Sequence, residues 1–181
     1  MKLRRLSMDE VDAARRDSLD TATLQRVTEI IDRVRTEGET ALREIAEDLG
    51  DLEPGQPMIF DRADLEAAAD SIEPDTTALL RRTADRIAAF ADAQRQSVVN
   101  LKVAVPGGIA GHNVAPVERA GCYAPGGRYP LPSSVLMTAV TARAAAVAEV
   151  WVASPRPTPI TLAAASVAGA DAVLAVGGAQ A

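Results

Sequence analysis

The chain has 181 residues, of which 48% are hydrophobic and 24% charged, and its formal net charge is −6. That is enough chain for one domain with a core. The acidic balance argues against nonspecific nucleic-acid binding, and no uncharged apolar run of about 18 residues offers a membrane span.

The N-terminal stretch MKLRRLSMDEVDAARRDSLD mixes arginines and acids without the apolar centre of a signal peptide. Ser7 to Glu10 reads as a capping box. Leu24, Val27, Ile30, Ile31 and Val34 then recur at helical spacing up to Gly38, a natural helix stop. Ala41, Leu42, Ile45, Ala46 and Leu49 make a second stripe, ended by Gly50. The turn EPGQP follows at 53–57. Leu65, Ala68, Ala69 and Ile72 continue the helical pattern, and Pro74 suits a first helical turn. The next helix presents Leu79, Leu80, Thr83, Ile87 and Phe90 on one face and runs to about Gln96. Residues 1–97 are therefore expected to form a helical N-terminal region.

From Val98 the pattern changes, and residues 98–181 read as a Rossmann-like α/β part. VVNLKVAV is short and β-branched, and PGG at 106–108 closes it like a hairpin turn. IAGHNVAPVERAGCY supplies two more strand candidates. A helix from about Ser133 to Val147 leads to the strand EVWVAS. The helix ITLAAASVAGA and the strand DAVLAV follow, ending at Gly177-Gly178. Nearly continuous apolar strands alternating with helices indicate an α/β fold with a mostly parallel sheet and flanking helices on both faces. The sheet is expected to be incomplete at the C-terminus, with an uncovered apolar strand edge.

The connection Tyr123-Ala-Pro-Gly-Gly to Ser134 lies where open α/β sheets bind ligands, at strand carboxyl ends beside helix N-termini. Tyr123 can stack on a flat ring or offer its hydroxyl. Gly126 and Gly127 permit close backbone approach and positive φ. Ser133 or Ser134 can cap the next helix, whose N-terminus favours an anion such as a pyrophosphate. The same Pro-Gly-Gly is also compatible with a plain tight turn. Neither GxGxxG nor a Walker pattern is present. The single cysteine, Cys122, excludes an internal disulfide, fits a reducing cytoplasm, and reads as a small core residue. The single histidine, His112, reads as a turn or surface residue. One His and one Cys do not make a zinc site.

PVERAGCYAPGGRYPLPSSVLMTAVTARAAAV, followed by VGGAQA, resembles the histidinol dehydrogenase family. VTEIIDRVRTEGETALREIAEDL and RIAAFADAQRQ are similar to that family's N-terminal part. The resemblance implies an NAD-dependent, two-step oxidation of L-histidinol to L-histidine through the aldehyde. It also implies one zinc per subunit and a homodimer, while the acidic charge and the lack of an apolar span lead us to expect no nucleic-acid or membrane partner. It assigns NAD contacts to Tyr123 and Gln180, beside Gly126 and Gly127. Without the family, Gln180 reads only as a polar residue near a terminus. The family's zinc ligands and its proton-transferring Glu-His pair have no counterparts here, so no catalytic or metal residue is assigned. The chain alone is expected to be inactive and to be an N-terminal fragment. The alternatives are a noncatalytic binding or assembly module, a relative oxidising another zinc-chelating alcohol, or an α/β domain of unrelated function.

Overall fold

The computed structural model describes residues 7–8, 20–126 and 129–181. The capping box read at Ser7–Glu10 lies outside these residues.

Helix α1, Thr21–Glu37, begins where the Asp20 carboxylate accepts the Thr23 amide at 2.8 Å. It ends at Gly38, whose φ of 65° is the left-handed geometry that stops a helix, and whose amide donates to the Val34 carbonyl. Helix α2, Glu39–Asp48, turns back against it and buries Ala41, Ile45 and Ala46. An Arg33–Glu44 ion pair joins the two helices. Helix α3, Arg62–Ser71, carries a capping box that the apolar stripe did not disclose. Asp61 accepts from Ala63 and Asp64, and the Asp64 carboxylate accepts from the Asp61 amide. Helix α4, Pro74–Arg95, has Pro74 in its first turn, as expected. Its buried face matches the expected one only in part: Leu80 is buried and Ile87 packs against the core. Leu80, Ala84 and Ala91 face the core, whereas Leu79 and Phe90 are exposed.

Before α3 lies a two-residue strand, β1 (Ile59–Phe60), too short for any period to reveal. Strands β2 (Leu101–Val105) and β3 (Gly108–His112) form the expected antiparallel hairpin, with Gly107 at φ 86° in its turn. Then come β4 (Arg119–Tyr123), α5 (Pro132–Ala144), β5 (Glu149–Ala153), α6 (Pro159–Val167), β6 (Ala172–Leu174) and a 3₁₀ turn at Gly178–Gln180.

The main sheet has the order β1-β6-β5-β4. Strands β4, β5 and β6 are parallel, and β1 is antiparallel to β6, with Ile59 opposite Leu174. The expected uncovered edge of the last strand is thus already occupied, by β1.

Cover on the two faces is unequal. Cys122, Val150, Val152 and Val173 point into the main core, built with α3, α4, α5 and the Ala-rich α6. Each fully buried Val or Leu there contributes about 1.5–3 kcal/mol. The opposite face carries a smaller cluster of Ala46, Leu52, Met58, Ala175 and Val176 near α2. Across β4 and β5 that second face holds Arg119, Glu149 and the exposed Tyr123, with an Arg119–Glu149 ion pair between them.

The amino ends of the parallel strands are clamped by Asp171. Its carboxylate accepts from Arg62, from Arg143, and from the Val150 amide at 2.8 Å, while its own amide donates to the Val150 carbonyl at 2.8 Å. Arg143 also donates to the carbonyls of Gly169, Val147 and Ala148. Partial burial works against ionisation of Asp171. The Val150 amide and the two guanidinium groups outweigh it and hold the carboxyl below its ordinary value. A carboxyl lowered in the folded state stabilises above the ordinary carboxyl range, and that contribution is lost as pH falls through the lowered value. Asp171→Asn should therefore cost about 1–3 kcal/mol at neutral pH. In urea titrations the deficit relative to wild type should shrink as the buffer is taken below the carboxyl range. A deficit independent of pH would assign the effect to packing instead.

Candidate functional site

Tyr123, Ala153 and Leu174 lie side by side at the carboxyl ends of β4, β5 and β6. From each end the chain leaves through proline or glycine: Ala124-Pro125-Gly126, Ser154-Pro155-Arg156 and Val176-Gly177-Gly178. The buried ring of Pro155 sits between two of these exits. A Cβ placed on Gly126 would lie 2.5 Å from Pro155 Cγ, and one on Gly177 would lie 2.9 Å from the same atom. Both glycine motifs are thus fitted to one proline ring. Gly126 does not adopt the positive φ expected of it, because its need for glycine is this contact. Gly127 lies outside the described residues. Gly178 has φ +61°, and a Cβ there would meet Gln180 Oε1 at 2.7 Å.

Asp51, just after the Gly50 helix stop, ties these exits together. Its Oδ2 accepts the Gly177 amide and Gln180 Nε2, each at 3.0 Å. Its backbone carbonyl accepts the Arg156 amide at 3.1 Å, and the Gly50 carbonyl accepts Arg156 Nη1 at 2.9 Å. Only the NH₂ end of a carboxamide can face a carboxylate, so the orientation of Gln180 is fixed. Its Oε1 then lies on the other side, buried and without a partner among the described residues. Both α1 and α2 pack against the 3₁₀ turn that carries it. Gln180 is thus no loose terminal residue; it is only 6% exposed.

Tyr123 is 45% exposed, on the thinly covered face of β4. Gly126 lines a cleft of about 190 Å³ formed by residues 124–126, 129–131 and 154–156 with Thr158 and Thr161. Neither Tyr123 nor Gln180 lines that cleft. Ser133 and Ser134 do not cap α5, which begins one residue earlier: Leu131 is the N-cap and Pro132 the first helical residue. Proline's fixed φ sets that start. His112 is exposed at the base of the hairpin, with Nε2 3.1 Å from the Val99 carbonyl oxygen. Cys122 is buried. Burial pushes its thiol up, and a hydrogen bond with Thr138 only partly offsets that. No group of three or more His, Cys, Asp or Glu that could hold a metal occurs among the described residues.

A family profile described as histidinol dehydrogenase matches residues 13–181. The chain belongs to the histidinol dehydrogenase family. It is 41% identical over 168 residues to the histidinol dehydrogenase of Pseudomonas putida, covering 90% of this chain and 38% of that protein. It is 43% identical over 169 residues to that of Halobacterium salinarum, covering 92% and 39% respectively. The crystal structure of histidinol dehydrogenase from Elizabethkingia anophelis shares the fold. The TM-score is 0.76 at 20% identity, over 97% of this chain and 42% of that one. The chain therefore spans about two-fifths of the length of the curated relatives it matches.

Asp51, Ser154 and Arg156 were not singled out from the sequence. For Asp51 the available signal was an acidic residue directly after a helix-stopping glycine. For Arg156 the structural sign is its positive φ of 47°, which the sequence does not announce.

Asp51→Ala leaves two donors without their acceptor and should cost about 1–3 kcal/mol. Hydrogen exchange at the Gly177 amide should accelerate in that variant. Asp51→Asn, which keeps an oxygen for both donors, should stay near wild type. An unchanged Gly177 rate in Asp51→Ala would show that the contact does not hold the turn.

Proposed function

We propose that this chain forms the dinucleotide-binding wall of an NAD-dependent histidinol dehydrogenase, which oxidises L-histidinol to L-histidine in two steps. The observation that supports this most strongly is the convergence of its two glycine motifs at the carboxyl edge of the parallel sheet, held by Pro155 and Asp51. Ligands of open α/β sheets bind at that edge.

NAD, when bound, supplies the acceptor for the substrate's hydride. The residues present suit it. Tyr123 offers an exposed ring face and a hydroxyl. Gly126 and Gly127 carry no side chain between backbone and ligand. Gln180, oriented by Asp51, holds a buried acceptor oxygen that lacks a donor among the described residues, which a ligand hydroxyl or amine would complete. A buried acceptor left unpaired costs free energy, and this favours binding of a donor there.

The described residues do not suit zinc, since no ligand set converges among them. We assign the zinc ligands and the proton-transferring groups to the part of the longer relatives that this chain does not match, and derive no step through the metal. The reading includes a homodimer, which the exposed apolar residues of the hairpin, Val103, Val105 and Ile109, support. It also includes a cytoplasmic location, which the single buried thiol supports. No helix among the described residues is long and apolar enough to cross a membrane.

Calorimetric titration with NAD tests the reading. Tyr123→Ala should weaken binding about tenfold, equivalent to about 1.4 kcal/mol, with no change in thermal midpoint. Unaltered affinity would remove Tyr123 from the site, and no binding by the wild-type chain would remove the site itself.

A further inference from the structure

A tie from residue 180 to the Asp51 carboxylate needs only a donor, yet the chain makes it with a carboxamide, which brings an acceptor as well. That acceptor, Gln180 Oε1, is buried and has no partner among the described residues. An unpaired buried oxygen is unfavourable in a folded chain. A tie that served the fold alone would gain nothing from it.

The oxygen is held in place from two sides. Asp51 Oδ2 takes Gln180 Nε2, and the Gly177 amide on the same oxygen keeps the carboxylate from turning away, each at 3.0 Å. The carboxamide cannot flip, because Oε1 would then face a carboxylate with no hydrogen between them. Asp51 is itself anchored elsewhere, since its carbonyl accepts the Arg156 amide at 3.1 Å. On the other side lies Gly178, which is exposed and has φ +61°. A Cβ there would lie 2.7 Å from Oε1, so any side chain at 178 would press on the oxygen, and glycine leaves it room.

We propose that Asp51 is a positioning residue that commits Gln180 to the acceptor role and so sets the class of group received beyond β6. That group is an N–H or O–H donor, and not a phosphate or carboxylate oxygen, which would meet Oε1 acceptor to acceptor. Asp51 acts through the carboxamide and not by touching the ligand. This role rests on the dinucleotide reading for the ligand, and goes beyond it in naming the residue that decides what Gln180 recognises. A dinucleotide carries donors of this class on its adenine amine, its ribose hydroxyls and its nicotinamide amide.

Calorimetric titration of the full 181-residue chain with NAD separates this role from a structural one. Asp51→Ala should weaken NAD about tenfold, and Asp51→Asn, which keeps one oxygen for both donors, should bind within about twofold of wild type. Gln180→Met removes the acceptor but leaves the Gly177–Asp51 bond, and should lose the same factor. Adding Asp51→Ala to it should then cost little more, because the two residues act as one. Two analogues locate the donor: hypoxanthine in place of adenine removes the amine, and acetylpyridine in place of nicotinamide removes the amide N–H. The analogue without the group that Gln180 receives should bind about tenfold more weakly and be indifferent to Asp51→Ala. If both analogues still respond to Asp51→Ala, the donor is a ribose hydroxyl. Unchanged NAD affinity in Gln180→Met would overturn the role and leave the dinucleotide site standing. So would an Asp51→Ala loss that Asp51→Asn does not restore, or that adds in full to the Gln180→Met loss. Absence of NAD binding by the wild-type chain would remove the dinucleotide reading and this role with it.

Discussion

A single carboxylate oxygen collects two N–H groups from residues 126 and 129 positions further along the chain: Asp51 Oδ2 receives the Gly177 amide and the Gln180 carboxamide. The carboxyl edge of the sheet depends on this contact. Through it the helical N-terminal part grips the end of β6, and through the Asp51 and Gly50 carbonyls it also grips the exit from β5. The orientation of Gln180 follows from it, because a carboxylate accepts only from the nitrogen end of the amide. The unpaired Oε1 and the left-handed Gly178 beneath it are consequences of the same choice.

The two ends of the parallel strands are built differently. At the amino ends, Asp171 pairs with Arg62 and Arg143 and with the Val150 amide, and Arg143 takes up three carbonyls besides. Polar groups there satisfy one another, and the result is a closed clamp. At the carboxyl ends, the chain spends glycine and proline on close backbone packing around Pro155. It leaves donors on Ser154, Arg156 and two uncapped helices facing a cleft. One edge thus satisfies its polar groups internally, whereas the other keeps donors without a protein partner among the described residues.

Much of this architecture was legible in the sequence, because long periodic segments and glycine stops carry it. Helices α1 and α2, the Pro106-Gly107 hairpin turn, and the alternation of β4, β5 and β6 with α5 and α6 all follow from apolar spacing and turn chemistry. Local pattern failed where tertiary contacts decide. Leu80 and Ile87 of the expected stripe do face the core, but alanines at 84 and 91 shift the buried side away from Leu79 and Phe90, which stay exposed. Two residues suffice for β1 because β6 offers an edge to pair with, which no period reveals. Ser133 and Ser134 yielded the start of α5 to Pro132. At the site, the glycine motifs and Tyr123 stood out as sequence features. Asp51 and Arg156 did not, since their significance arises only from partners brought together by the folded chain.

The account turns on the carboxyl edge of the sheet as the place where the dinucleotide binds. Mapping backbone and side-chain NMR shifts during an NAD titration of the 181-residue chain addresses this most directly. The account predicts saturable shifts confined to Tyr123, Gly126, the Ser154–Arg156 exit and the Gly177–Gln180 turn, with the Gln180 carboxamide among the largest. Shifts centred on the hairpin or the Asp171 clamp, or no saturable shift, would contradict it.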